Sequence, residues 1–177
     1  MKYFVILILL ISSLAAKDNL SGFLKAYKLK DMTAACIAGK ELFYANIRDE
    51  NILLAIGKAC SKADYIDFVG VLQQRLGQSP SSRKAAVYFS TLLLKKRLIS
   101  QYMHEDIDLS AYSLPLTDHI LSRVYEAIKN ENFTLVSKDP KRLHIGDAGN
   151  YIDLYVKKKI YVDLYQKGKK IQGHRYK

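Results

Sequence analysis

Residues 151–170, YIDLYVKKKIYVDLYQKGKK, decide how the C-terminal part of this chain folds, because Tyr151-Ile152-Asp153-Leu154-Tyr155 is answered by Tyr161-Val162-Asp163-Leu164-Tyr165. Successive side chains of a β-strand point to opposite faces. Strict alternation therefore puts Ile152, Leu154 and Val156 on one face and Tyr151, Asp153 and Tyr155 on the other. In the second copy Ile160, Val162 and Leu164 oppose Tyr161, Asp163 and Tyr165. With Lys157, Lys158 and Lys159 between the copies, the spacing predicts an antiparallel hairpin with an apolar underside, a Tyr-Asp-Tyr upper face and a basic tip.

Around this hairpin the alternating period continues from Asn130 onward. Turn signals at Asp139-Pro140, Gly146 to Asn150, the lysine triplet and Lys167-Gly168 divide the stretch into strands near 133–137, 142–145, 151–156, 160–165 and 170–176. Five short strands joined by tight turns predict an antiparallel β-meander with one face covered by helices. Pairing Val156 with Ile160 sets Asp153 opposite Asp163, and like charges opposed across strands are destabilising. Three arrangements resolve the conflict: a shifted register, compensation by neighbouring lysines, or a bound cation, although two carboxylates alone make a poor calcium site. Tyr151, Tyr155, Tyr161 and Tyr165 with Lys157, Lys158 and Lys159 form the candidate partner-binding surface, since tyrosine offers large contact area at low entropic cost. Stacking on sugars is a second use for them, and packing beneath a helix a third.

The formal net charge of +11 is unevenly spread: residues 133–177 hold 11 Lys and Arg against 4 Asp. A basic surface attracts phospholipid headgroups, cell-wall polymers, acidic proteins or nucleic acid. Lysines that keep a sheet soluble and protect its edges are the alternative.

Upstream the period is helical. Asp31 can cap a helix running to Asn46 with Ala35, Ala38, Leu42 and Ala45 on one face. Asp49 can cap the next, with Glu50 in its first turn and Ile52, Leu53, Ile56, Ala59 and Cys60 buried. Only Ile47-Arg48 separate the two, which predicts an antiparallel helical hairpin. Cys36 and Cys60 lie equally far from Arg48, each about 18 Å from the turn at a rise of about 1.5 Å per residue. In an exported chain this predicts a Cys36–Cys60 disulfide, contributing about 3 kcal/mol through loop entropy. Two buried thiols are the alternative in a reducing compartment, and a redox pair lacks the C-x-x-C spacing. Further helices are expected over 64–76, stopped by Gly77; from a Ser79 cap and Pro80 to about His104, with Lys96 within an otherwise apolar stripe; and over 117–129.

Small residues at the helix crossings, Ala34, Ala35, Ala38 and Gly39 against Gly57, Ala59 and Ala63, make residues 31–104 resemble tetratricopeptide or Sel1-like helical repeats. A cysteine bridge across one hairpin is similar to the disulfide-stapled Sel1-like proteins of bacterial envelopes. That resemblance implies a protein-binding scaffold without catalysis.

At the N-terminus, Met1-Lys2, the apolar run Tyr3 to Leu14 and Ser13-Leu14-Ala15 read as a signal peptide over 1–15. Twelve apolar residues are too few for a spanning anchor, which needs about twenty. The expected organisation is thus a signal peptide (1–15), a helical module (16–130) and a basic β-module (131–177), an α+β protein. Roughly 160 residues after processing suffice for one core or two small modules.

For chemistry, His104, Asp106 and Asp108, with Glu105, Asp118 and His119 nearby, are candidate metal ligands by type, but their spacing matches no defined site. His144 and His174 read as exposed strand positions. Nucleophile elbow, Walker loop, dinucleotide fingerprint, zincin helix and haem-attachment motifs are absent from the sequence, so no catalytic residue and no cofactor is assigned. The expectation is a periplasmic or secreted, non-enzymatic scaffold of the bacterial envelope. It would bind an envelope protein and an anionic lipid or cell-wall polymer, but not nucleic acid, and would not be an integral membrane protein. The alternatives are an envelope hydrolase using His104, Asp106, Asp108 or the Asp153 and Asp163 pair, and an accessory subunit of a secretion or flagellar machine.

Overall fold

The structure, a computed structural model, describes residues 19–176. The expected signal peptide lies outside the described residues. Helices come first: α1 over residues 19–28 as described, α2 (Met32–Tyr44), α3 (Glu50–Lys62), α4 (Ile66–Leu72) with a 3-10 turn (Gln73–Arg75), α5 (Pro80–Glu105) and α6 (Ile120–Lys129). Five strands follow, β1 (Thr134–Lys138), β2 (Lys141–Gly146), β3 (Asn150–Val156), β4 (Ile160–Gln166) and β5 (Lys169–Tyr176), paired in chain order as one antiparallel sheet. The protein is therefore α+β, a helical part followed by a meander. No helix among the described residues is long and apolar enough to cross a membrane.

By internal contacts the chain forms two compact units, up to Val87 and from Tyr88, dividing inside α5, whereas the period of the sequence changes at residue 130. In the first unit the α2–α3 hairpin forms as the two caps dictate. Asp31 accepts from the Ala34 N–H at 2.9 Å, and Asp49 accepts from Asn51 and Ile52 at 2.9 and 3.1 Å. Each carboxylate satisfies donors that the first helical turn leaves without intrahelical partners. Cys36 and Cys60 are disulfide-bonded, with Cα atoms 4.6 Å apart. Gly39 makes the close crossing possible, because a Cβ there would sit 2.8 Å from Ile56. The buried face of α2 is Ala35, Cys36, Gly39, Leu42 and Phe43; Ala45, expected on it, is the exposed C-cap. Phe43 packs edge-on against Phe68 at 5.2 Å and carries the Arg75 guanidinium 3.7 Å above its ring. The helix expected over 64–76 keeps its α form only to Leu72 before tightening into the 3-10 turn.

The Glu50 carboxylate accepts from the N–H groups of Gln78 and Ser79 at 3.0 and 3.2 Å. Hydrogen bonding to Ser79 and Ser82, with the backbone donors, holds its pKa down at about 2. Glu50 thereby fixes the loop that leads into α5, whose first turn is capped by the Ser79 hydroxyl accepting from Ser82 N–H at 3.2 Å.

In the second unit the sheet buries one face: Leu143, Ile145, Ile152, Leu154, Ile160, Val162, His174 and Tyr176. Helix α6 begins at Ile120 with His119 as its cap, three residues later than the Thr117 start expected. The His119 ring lies 6.4 and 6.2 Å from those of His174 and Tyr176, bringing the start of α6 to this underside. At the other end of the contact Lys141 donates to the Tyr102 carbonyl at 2.9 Å and pairs with Asp106, placing a cation at the C-terminus of α5.

Candidate functional site

The upper face of the sheet is built by register. Three rows of directly opposed residues cross β2 to β5: Arg142, Tyr155, Tyr161, Arg175; His144, Asp153, Asp163, Gly173; and Gly146, Tyr151, Tyr165, Lys170. Val156 does pair with Ile160, so the register is unshifted and the two aspartates face one another.

Basic neighbours resolve that opposition. Asp153 pairs with the Arg142 guanidinium and has His144 Nδ1 at 3.4 Å, while Asp163 pairs with Lys170 Nζ at 2.7 Å and accepts from the Tyr155 hydroxyl at 3.1 Å. Both carboxylates are buried, at 4 % and 6 % exposure. The hydrogen bond to Asp153 raises the pKa of Arg142, and that to Asp163 raises the pKa of Lys170. Burial first, and the bond to Asp163 second, push the Tyr155 phenol up. Each cation reaches diagonally from a neighbouring strand, and Gly173 leaves room for one of them. A Cβ at Gly173 would lie 2.9 Å from Asp163 Oδ1 and 3.2 Å from Lys170 Nζ.

The tyrosines stack across the strands. Tyr151 and Tyr165 lie 4.5 Å apart at 11°, and Tyr155 and Tyr161 lie 5.0 Å apart at 4°. His144 lies 4.0 Å from Tyr151, and the guanidinium groups of Arg142 and Arg175 lie 5.7 and 5.9 Å from Tyr155 and Tyr161. One row is thus a cation–ring–ring–cation ladder: the aromatic quadrupole favours the guanidinium groups over the outer ring faces, and the parallel rings lie within the centroid range of favourable aromatic pairs.

Of the candidate metal ligands, His104 Nδ1 lies 2.7 Å from the Ser100 carbonyl, Asp106 pairs with Lys141, and Asp108 accepts from the Ser110 N–H and hydroxyl at 2.7 and 2.8 Å. Those bonds lower the Asp108 pKa. Asp118 accepts from the Tyr88 hydroxyl at 2.8 Å, and the His119 ring accepts from Leu121 N–H at 3.2 Å. Among the described residues no three His, Cys, Asp or Glu side chains group as a metal site. His174, expected at an exposed position, is buried on the underside, because a bulge in the β4–β5 pairing shifts the parity of β5.

The periodicity of α5 did not expose Lys95, which is fully buried and hydrogen-bonds Ser122, with Glu126 Oε1 at 3.7 Å and the Tyr125 ring centroid at 5.1 Å. Desolvation lowers its pKa. A serine beside a lysine of lowered pKa has the composition of a nucleophile and base. Here, however, Ser122 is 2 % exposed and its hydroxyl oxygen already accepts from Thr117 N–H at 3.0 Å. The pair joins α5, α6 and the chain between them.

A scan of family models, a search of curated proteins and a search of solved structures each returned no match for this chain. The likeness of residues 31–104 to tetratricopeptide and Sel1-like hairpins therefore rests on the residues quoted for it.

Proposed function

We propose that this chain is an exported, non-enzymatic binding component of the bacterial cell envelope, with its sheet as a preorganised contact module for an anionic partner and its helices as the site for a protein. The observation that carries this reading is the upper face of the sheet. Its two carboxylates are already neutralised by Arg142 and Lys170, and its rings are already stacked on one another. Groups so committed make a stiff surface that loses little side-chain freedom on binding. The Cys36–Cys60 disulfide supports an oxidising compartment.

The test is an affinity capture from envelope extract with the processed, oxidised protein, read by mass spectrometry. One dominant protein partner is the expected result. Hydrolysis of cell-wall material by the purified protein, abolished by Asp153→Asn, would instead establish the hydrolase alternative.

A further inference from the structure

The meander gathers cations from three separated segments at one end of the sheet. The β1–β2 turn brings Lys138, Lys141 and Arg142; the β3–β4 turn brings Lys157, Lys158 and Lys159; and β5 ends there with Arg175, opposite Tyr161. Strands in a sheet lie about 4.8 Å apart, so the two turns, two strands apart, sit about 10 Å from one another. Seven positive side chains meet three carboxylates at this end: Asp139 in the first turn, Asp106 on Lys141 and Asp153 on Arg142. The opposite end holds Lys167, Lys169 and Lys170 with Asp147 and with Asp163 on Lys170, a smaller excess. The positive excess of the sheet is therefore polar along the strands.

We infer that this lysine-bearing end docks on an anionic phospholipid surface, an inference that specifies the anionic partner of the binding role proposed above. Lys141 is turned inward onto the Tyr102 carbonyl and Asp106, and Arg142 is held on Asp153, so the charges that project are those of the two hairpin turns at the end of the sheet, a shape that meets a flat surface. Lys138, Lys157 and Lys158 are exposed. They are flexible point charges suited to a diffuse field of headgroups, whereas discrete anions are better held by fixed guanidinium forks. Directly behind the tip stand Tyr155 and Tyr161, half-buried on the upper face, with Val156 half-buried on the other. Amphipathic rings just behind a row of lysines match the layering of a membrane interface, with headgroup charge outside and mixed polarity within.

The experiment uses the processed, oxidised protein, with vesicles of phosphatidylcholine and phosphatidylglycerol compared with phosphatidylcholine alone, and binding read by co-sedimentation. Wild type should bind only the anionic vesicles and should leave them in high salt. Lys157→Gln, Lys158→Gln and Lys159→Gln together should weaken binding about a hundredfold, at roughly fivefold for each lysine. A control triple, Lys25→Gln, Lys28→Gln and Lys62→Gln, removes the same charge from exposed helical positions and should bind as wild type. Circular dichroism and urea midpoints confirm that both variants fold. Absence of binding to anionic vesicles at low salt, equal loss in both triples, or binding to soluble polyphosphate but not to vesicles would each overturn the inference. Capture of a protein partner by a chain that ignores vesicles would reject the membrane role alone. Failure of that capture, with vesicle binding intact, would reject the scaffold reading alone.

Discussion

Arg142→Gln tests the electrostatic logic of the sheet. In wild type the guanidinium neutralises Asp153, a carboxylate at 4 % exposure that directly opposes Asp163. Removing one partner of a buried ion pair costs about 3–5 kcal/mol, whereas a surface pair contributes at most about 1 kcal/mol. The Arg142 side chain is 45 % exposed, and His144 stands 3.4 Å from Asp153 as a partial substitute, so the expected loss lies between those limits, at about 2 kcal/mol. Urea unfolding at neutral pH measures it. Adding Asp153→Asn to Arg142→Gln should recover most of the loss, since the double variant has neither an unpaired buried charge nor opposed charges. The cycle should report a coupling of about 1–2 kcal/mol. A single-variant cost below about 0.5 kcal/mol with no coupling would refute the view that Arg142 makes this register tolerable.

Gly173→Ala should destabilise the sheet by about 1 kcal/mol, because its methyl group meets Asp163 Oδ1 and the end of Lys170, both of which can move; Lys170→Gln added to it should cost less than Lys170→Gln alone. Reduction of Cys36–Cys60, or Cys36→Ser with Cys60→Ser, should lower stability of the first unit by about 3 kcal/mol by loop entropy, read as a fall in urea midpoint under reducing conditions. Because the folded-state pKa of Glu50 is depressed to about 2, its contribution is present above the unfolded value near 4.5 and is lost as pH falls from there toward 2. The stability difference between wild type and Glu50→Gln should therefore narrow across that window, and a difference independent of pH would show that the carboxylate charge is not what holds the 77–79 loop.

Local patterns were legible wherever the determinant lay within a few residues of its effect. Asp31 and Asp49 announce helix starts because a cap acts over three residues, and the equal spacing of the cysteines from Arg48 places them level across a hairpin. The β3–β4 hairpin followed from the repeated pentapeptide and its short lysine turn, whereas its register, open in the sequence between an unshifted and a shifted pairing, is set in the structure with Asp153 opposite Asp163. The partners of those aspartates were harder to read. Arg142 depends on the register of β2 across the turn into β3, and Gly173, which leaves room for Lys170 beside Asp163, depends on a bulge that reverses parity within β5. Lys95 escaped notice because a lysine one position from an apolar stripe reads as solvated until Ser122 and Glu126 of another helix are placed beside it.

The sequence by itself determined the order of helices and strands, the disulfide pairing and the identity of the Tyr-Asp-Tyr face, since periodicity, capping and turn chemistry act over short separations. Tertiary structure alone decided which cation answers each aspartate, that the tyrosines stack in two cross-strand pairs, and that three basic segments share one end of the sheet. Those outcomes depend on strand register and bulges, where a shift of one residue exchanges one face of a strand for the other.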